Sequence, residues 1–188
     1  MMRCRDDGGV ALLEFAIVVP LLLLLAFGTA EMGLAWNAAS QVEAATSTAA
    51  RTAATMGADA NADVNTLDAL RAALPEEALD NLDRVVIFHP TGDDGDMPGG
   101  CTAGSGTGRC NMYPGDLVRT FDAGVVDALG TFDDRWDPTT RDDTLDGDPP
   151  DFIGVWVRTT HDDKTGTFWQ GMTITRDSIY RIQPDFDG

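Results

Sequence analysis

Residues 15–29 form an uninterrupted apolar run, and one carboxylate, Glu14, stands at its amino-terminal edge. Extended to Val10 and Ala30 the segment has 21 residues, roughly 32 Å at the helical rise of about 1.5 Å per residue, the thickness of one bilayer crossing. Pro20 would kink a soluble helix, but membrane helices tolerate proline where neighbouring groups satisfy the freed carbonyl. A charge at the bilayer centre costs about 2.5 kcal/mol or more, so Glu14 calls for a specific partner.

The spacing around Glu14 indicates which partner. A cut after Gly9 makes Val10 the new amino terminus and Glu14 the fifth residue, one helical turn along. This arrangement resembles the type IV prepilin processing site. The run from Glu14 to Gly28, followed by Glu31-Met32-Gly33 and an Ala/Thr-rich continuation over residues 37–56, resembles the opening of the TadE-like pseudopilins of the tight-adherence (Tad/Flp) pilus. Residues 172–184 resemble the end of those proteins in general character. The resemblance implies cleavage between Gly9 and Val10 by a prepilin peptidase. It also implies association with other pilin and pseudopilin subunits, and a part in assembling or priming a pilus without a reaction of its own. In such a filament Glu14 would neutralise the Val10 amine of a neighbouring subunit, opposite charges attracting strongly at low dielectric. The alternative is a carboxylate that snorkels to the headgroups.

Charge and cysteine usage fit an exported domain. The formal net charge of −18 argues against nucleic acid, which demands clustered Lys and Arg. Loss of residues 1–9 removes Arg3, Arg5, Asp6 and Asp7, so the charge is unchanged. Arg3 and Arg5 lie at the amino-terminal end of the apolar run and favour a cytoplasmic amino terminus, with the bulk of the chain outside. Cys4 falls in the leader, leaving Cys101 and Cys110 around a Gly-rich loop. In an oxidising exterior they could close a disulfide worth about 2–3 kcal/mol; the alternatives are free thiols or a metal pair.

Beyond Glu31 no helix breaker occurs before Gly57, and Ala39, Val42, Ala45, Ala49, Ala53 and Met56 recur every three or four residues. That spacing predicts a helix running on out of the membrane with a narrow small-residue stripe. Leu67, Leu70 and Leu74 before Pro75 mark a short amphipathic helix, and Leu79 and Leu82 a further turn. Residues 84–89 read as a strand stopped by Pro90, residues 91–114 as a loop, and residues 115–130 as a helix with Leu117, Phe121, Val125 and Leu129 on one face. Residues 131–151 read as an acidic surface loop that buries little. Strands are expected over 153–160 and 167–175, with a third, short one over 178–183.

Other chemistry is poorly supported. The glycines of residues 104–108 lack the lysine of a phosphate loop. Asp142, Asp143, Asp146, Gly147 and Asp148 fall out of step with a calcium loop, since Thr144 and Ile153 occupy ligand positions. His89 and His161 are distant in sequence from the cysteines, and no nucleophile or metalloprotease motif occurs. No cofactor and no catalysis are expected.

The expected architecture is α+β. Residues 1–9 are a leader peptide, residues 10–30 a transmembrane helix, residues 31–58 its extension, and residues 59–188 an extracytoplasmic domain around a small antiparallel sheet. The rival is a secreted binding domain or enzyme behind an ordinary signal peptide, with residues 12–26 as its apolar region and Gly28-Thr29-Ala30 as its cut site. Glu14 and the continuous Ala-rich helix count against it.

Overall fold

Pro20 is the one proline between residues 10 and 56, and the chain there folds as one helix, α1 (Gly8–Met56), that carries through Pro20 without interruption. The computed structural model describes residues 8–91, 95–102, 109–120, 136–144, 149–162, 164 and 171–184. Serine and threonine are indifferent helix formers because their hydroxyls compete for backbone groups. Here the hydroxyls of Ser40, Thr46, Thr48, Thr52 and Thr55 donate to the carbonyl four residues earlier, which keeps them within the helix. The helix stops at Gly57, whose φ of +53° is a conformation that favours glycine. Just beyond, the Ala58 amide donates to Asp143 Oδ2 at 3.2 Å.

The two halves of α1 have different surroundings. Its apolar half is exposed along its length, with an 18-residue window of mean hydropathy 2.8 and no residue of that window buried. Its second half forms one wall of the core, where Ala35, Val42, Ala45, Ala49, Ala50, Ala53 and Ala54 are buried. Alanine adds little apolar area of its own. Its contribution is to let the helix backbone come close to a flat surface.

That surface is an antiparallel sheet built from β1 (Leu82–Phe88), β2 (Cys110–Pro114), β3 (Phe152–His161) and β4 (Met172–Arg181), in the order β2-β1-β3-β4. Val85 stands opposite Val157 and Ile87 opposite Val155, and these side chains, with Ile153 and Ile174, share the main core with α1. Alternate residues point the other way, as the two-residue period of a strand requires. Val86, Phe88 and Cys110 on the outer face form a second, smaller cluster with Cys101 of the short helix α4 (Gly99–Thr102). A Cβ on Gly154 would lie 2.3 Å from Phe88 Cζ, so the glycine lets the ring lie across the neighbouring strand. Helix α2 (Ala62–Ala73) packs on α1 through Leu67 and Leu70, and α3 (Glu76–Asp80) follows Pro75. Helix α5 (Gly115–Thr120) adjoins β2, and a 3-10 turn covers Pro138–Thr140.

The α+β architecture is the expected one, with three local differences. The stretch expected to be loop from 91 to 114 contains both α4 and β2, because Asn111 and Tyr113 pair with β1 and turn inward. Where two strands are expected over 167–175 and 178–183, residues 172–181 form one strand, β4, whose ten residues all pair with β3, and residues 167–170 lie outside the described residues. The acidic segment 131–151 buries more than its composition suggests, since Trp136 and Arg141 are only 2% and 3% exposed. Of the helix expected over 115–130, residues 115–120 are helical and the remainder lies outside the described residues.

Ala49 is fully buried between helix and sheet. Ala49→Leu should therefore overpack the interface and cost about 1–3 kcal/mol, a fall in Tm of roughly 2–4 °C for each kcal/mol in a domain of this size. Thermal unfolding of the full chain in detergent, followed by near-ultraviolet circular dichroism, would measure it; an unchanged Tm would mean that α1 is not held closely to the sheet.

Candidate assembly surface

The amino-terminal half of α1 presents Val10, Leu12, Leu13, Phe15, Ile17 and the leucines 21–25 to the exterior, each at least half exposed. Glu14 is exposed among them and makes no hydrogen bond or ion pair with the described residues of its own chain. Helical geometry puts Val10 one turn before Glu14, on the same side of α1. Gly9 has nothing within 4 Å of the position a Cβ would take, so the fold itself does not require glycine there. Arg3, Arg5 and Cys4 lie outside the described residues.

At the other end of the apolar run stands the first buried residue of α1 among the described residues. Glu31 is 3% exposed, and the backbone amide of Lys164, just after β3, donates to its Oε2 at 3.3 Å. The Lys164 ammonium donates in turn to Glu77 Oε2 of α3 at 2.6 Å, and His161 Nδ1 lies 3.1 Å from Glu77 Oε1. The Lys164 hydrogen bond, supported by the charges of Lys164 and His161, holds the Glu77 carboxyl below its ordinary range although partial burial opposes this. Glu31 is thus built into the junction between helix and domain. Trp36, a little further on, is 77% exposed.

A second tie fixes the far end of the domain. Asp63 of α2 is buried and accepts hydrogen bonds at 2.6 Å from both Asn111 Nδ2 and the Tyr113 hydroxyl of β2. Arg141 donates to its other oxygen through Nη2, with a side chain wholly removed from solvent. The guanidinium lies 4.5 Å from the centre of the Trp136 ring, so its face is covered by an aromatic surface as well as its edge by a carboxylate. Asn111 closes the arrangement by bonding both the amide and the carbonyl of Trp136. Between the two ends, Tyr180 of β4 shares a 2.9 Å hydrogen bond with Ser47 of α1, and this bond with the nearby Arg51 lowers the phenol from its ordinary value.

The residues considered for other chemistry are engaged structurally. His89 Nε2 is 3.0 Å from Asp151 Oδ1 and meets the edge of Trp136, while His161 belongs to the Glu77 cluster. Asp142 accepts from the amide and hydroxyl of Thr144, which lower its carboxyl, and Asp143 accepts from Ala58. Asp146, Gly147 and Asp148, and the glycines of residues 104–108, lie outside the described residues. Among the described residues no group of three or more His, Cys, Asp or Glu side chains could hold a metal. Cys101 and Cys110 are joined by a disulfide with their Cα atoms 6.0 Å apart. Sequence reasoning missed the pairings of Glu31 with Lys164 and of Asp63 with Arg141, which join residues 133 and 78 positions apart with no shared motif.

The family model described as TadE-like protein matches residues 9–51. That segment is a TadE-like domain. It spans Gly9, Glu14, the apolar half of α1 and most of the buried alanine stripe, and ends before the sheet begins. TadE-like proteins are components of the Tad pilus machinery and are generally not catalytic. No curated protein and no solved structure matches the chain.

Removing the cation from the Asp63 cluster leaves a buried carboxylate supported only by neutral donors. Arg141→Met should accordingly cost about 3–5 kcal/mol. Urea unfolding read by the near-ultraviolet signal should show an earlier midpoint, and Asp63→Leu added to Arg141→Met should recover part of the loss. A single variant with the parent midpoint would show that the pair is not a structural tie.

Proposed function

We propose that this chain is a single-pass minor pseudopilin that acts in assembly of a Tad/Flp-type pilus through subunit contacts and without catalysis. On this reading residues 1–9 are a leader on the cytoplasmic side, cut after Gly9 by a prepilin peptidase. Residues 10–30 cross the cytoplasmic membrane, and the extension of α1 over 31–58 carries the domain of residues 59–188 outside it. The observation that carries the proposal is Glu14, a carboxylate without a partner among the described residues of its own chain, at the start of an apolar helix half none of whose residues is buried. A free amine on Val10 of a neighbouring subunit supplies a partner of opposite charge at low dielectric. The TadE-like match across the same residues supports this assignment.

Two measurements test it. Gly9 is unconstrained by packing, so Gly9→Leu should abolish the mature chain that begins at Val10 while leaving the domain folded. Mass spectrometry of the native chain should find Val10 first; Glu31 or Met1 first would indicate a signal peptide or an uncleaved anchor instead. Glu14→Leu should insert and fold at parent levels yet fail to restore piliation in a strain lacking the native copy. Parent-level piliation by that variant, with matched expression, would remove Glu14 from assembly.

A further inference from the structure

Where α1 leaves its apolar half, the folded domain is already in contact with it. The helix rises about 1.5 Å per residue, and a bilayer adds about 5–8 Å of headgroup layer to each side of its hydrocarbon core. If the span ends at Ala30, residues from Glu31 to about Ala35 therefore lie among the headgroups. Met32 and Ala35 line one side of an open cavity of about 350 Å³, and Gly171, Met172 and Thr173 at the start of β4 line the other. Met32, Leu34, Trp36 and Met172 are all substantially exposed around this level. Lys164, at the other end of the β3–β4 connection, is held at the same level by the hydrogen bond its backbone amide donates to Glu31.

We infer that the Met172 end of β4 rests in the headgroup layer of the leaflet from which α1 emerges, as a second membrane contact of the domain. This rests on the reading of α1 as a bilayer span. The occupant of the cavity is then lipid, because the surface is continuous with the exposed apolar face of α1 and lies within the depth that the headgroups fill. The contact is apolar. A chain of net charge −18 gains nothing from anionic lipid, so the contact should not depend on acidic headgroups and should persist in salt. Burial of Glu31 within the protein fits this placement, since it keeps the carboxylate at the junction away from lipid. A domain seated in this way has two points of attachment, which restrict its tilt about the helix.

The test uses the full chain in phosphatidylcholine vesicles, with Cys4→Ser so that an introduced cysteine is the one free thiol. An environment-sensitive fluorophore is placed by Met172→Cys, or by Thr173→Cys as a second position should the first fail to fold. Phe27→Cys marks the span, and Asp59→Cys marks the far end of the domain. A lipid carrying its nitroxide on the headgroup should quench the labels at 172 and 173 several-fold more than the label at 59, with and without high salt, while acyl-chain nitroxides quench the label at 27. Labels at 172 and 173 quenched no more than the label at 59, with 27 quenched, would overturn the second contact and leave the pseudopilin reading standing. An unquenched label at 27 would overturn both. Shielding at 172 that appears only at high protein-to-lipid ratio, without headgroup quenching, would assign the cavity to a second copy of the chain and overturn lipid contact.

Discussion

Everything in this molecule depends on α1 being a single helix, one half long and apolar enough to cross a membrane and the other half packed on the sheet. A chain segment in hydrocarbon must satisfy its own backbone hydrogen bonds, and a helix does so without help from the sheet. The same backbone then continues past Glu31 and becomes the wall on which the sheet packs. No loop separates the two tasks, so the domain takes its distance from the apolar segment from the helix itself. The alanines that permit close packing and the leucines that face outward are consecutive parts of one rigid element.

The domain is tied to that helix at successive heights. Glu31 receives the Lys164 amide at the base, Ser47 meets Tyr180 midway, and Gln183 donates to the Ala54 carbonyl at 2.8 Å near the top. The ties join α1 to the β3–β4 connection, to β4 and to the residues just after it, so the hydrogen bonds follow an edge strand whose other edge pairs with no described strand. Apolar packing supplies the larger share of stabilisation, because burying one Val or Ile side chain is worth about 1.5–3 kcal/mol against about 0.5–1.5 kcal/mol net for a hydrogen bond. The polar ties contribute register: an amide or hydroxyl bonds a particular partner, whereas alanine stripes can slide.

Legibility in the sequence followed the range of the interaction. The apolar half of α1 through the leucines 21–25 could be read as one helix long enough to cross a membrane, because its apolar composition is a local, continuous signal. The stripe through Val42, Ala45, Ala49 and Ala53 could be read because helical periodicity is local too. Strand β2 was hidden because it has only five residues, which follow a polar, Gly-rich stretch of sequence, and because its pairing with β1 is not local. Arg141 was hidden for a related reason. A lone arginine in an acidic segment looks solvated until Asp63, Asn111 and Trp136 arrive from three other parts of the chain. The join between residues 167–175 and 178–183 was misjudged because Arg176 and Asp177 interrupt the apolar pattern. On a half-exposed edge strand such charges are tolerated, and Arg176 finds Glu43 of α1 at 3.4 Å.

The charge distribution then sets the balance between copies of the chain. Lys and Arg number 13 against 31 Asp and Glu, and many of the described cations are already engaged: Arg84 and Arg158 with Asp83, Arg109 with Asp151, Arg119 with Asp116, Arg141 with Asp63, Lys164 with Glu77. The excess is therefore carboxylate, which repels a like domain over roughly 10 Å at 0.1 M salt. The apolar half of α1, long and apolar enough to cross a membrane, would have the opposite tendency there, because its exposed side chains can pack on another helix. If the chain works as a pseudopilin, attraction resides in residues 10–30 and repulsion in residues 59–188. Copies would then approach through their helices while their domains stay apart unless a partner supplies positive charge. That division gives the single carboxylate in the attractive half, Glu14, its weight: in hydrocarbon one unpaired charge opposes association, and one matched charge fixes which neighbour is accepted and in what register.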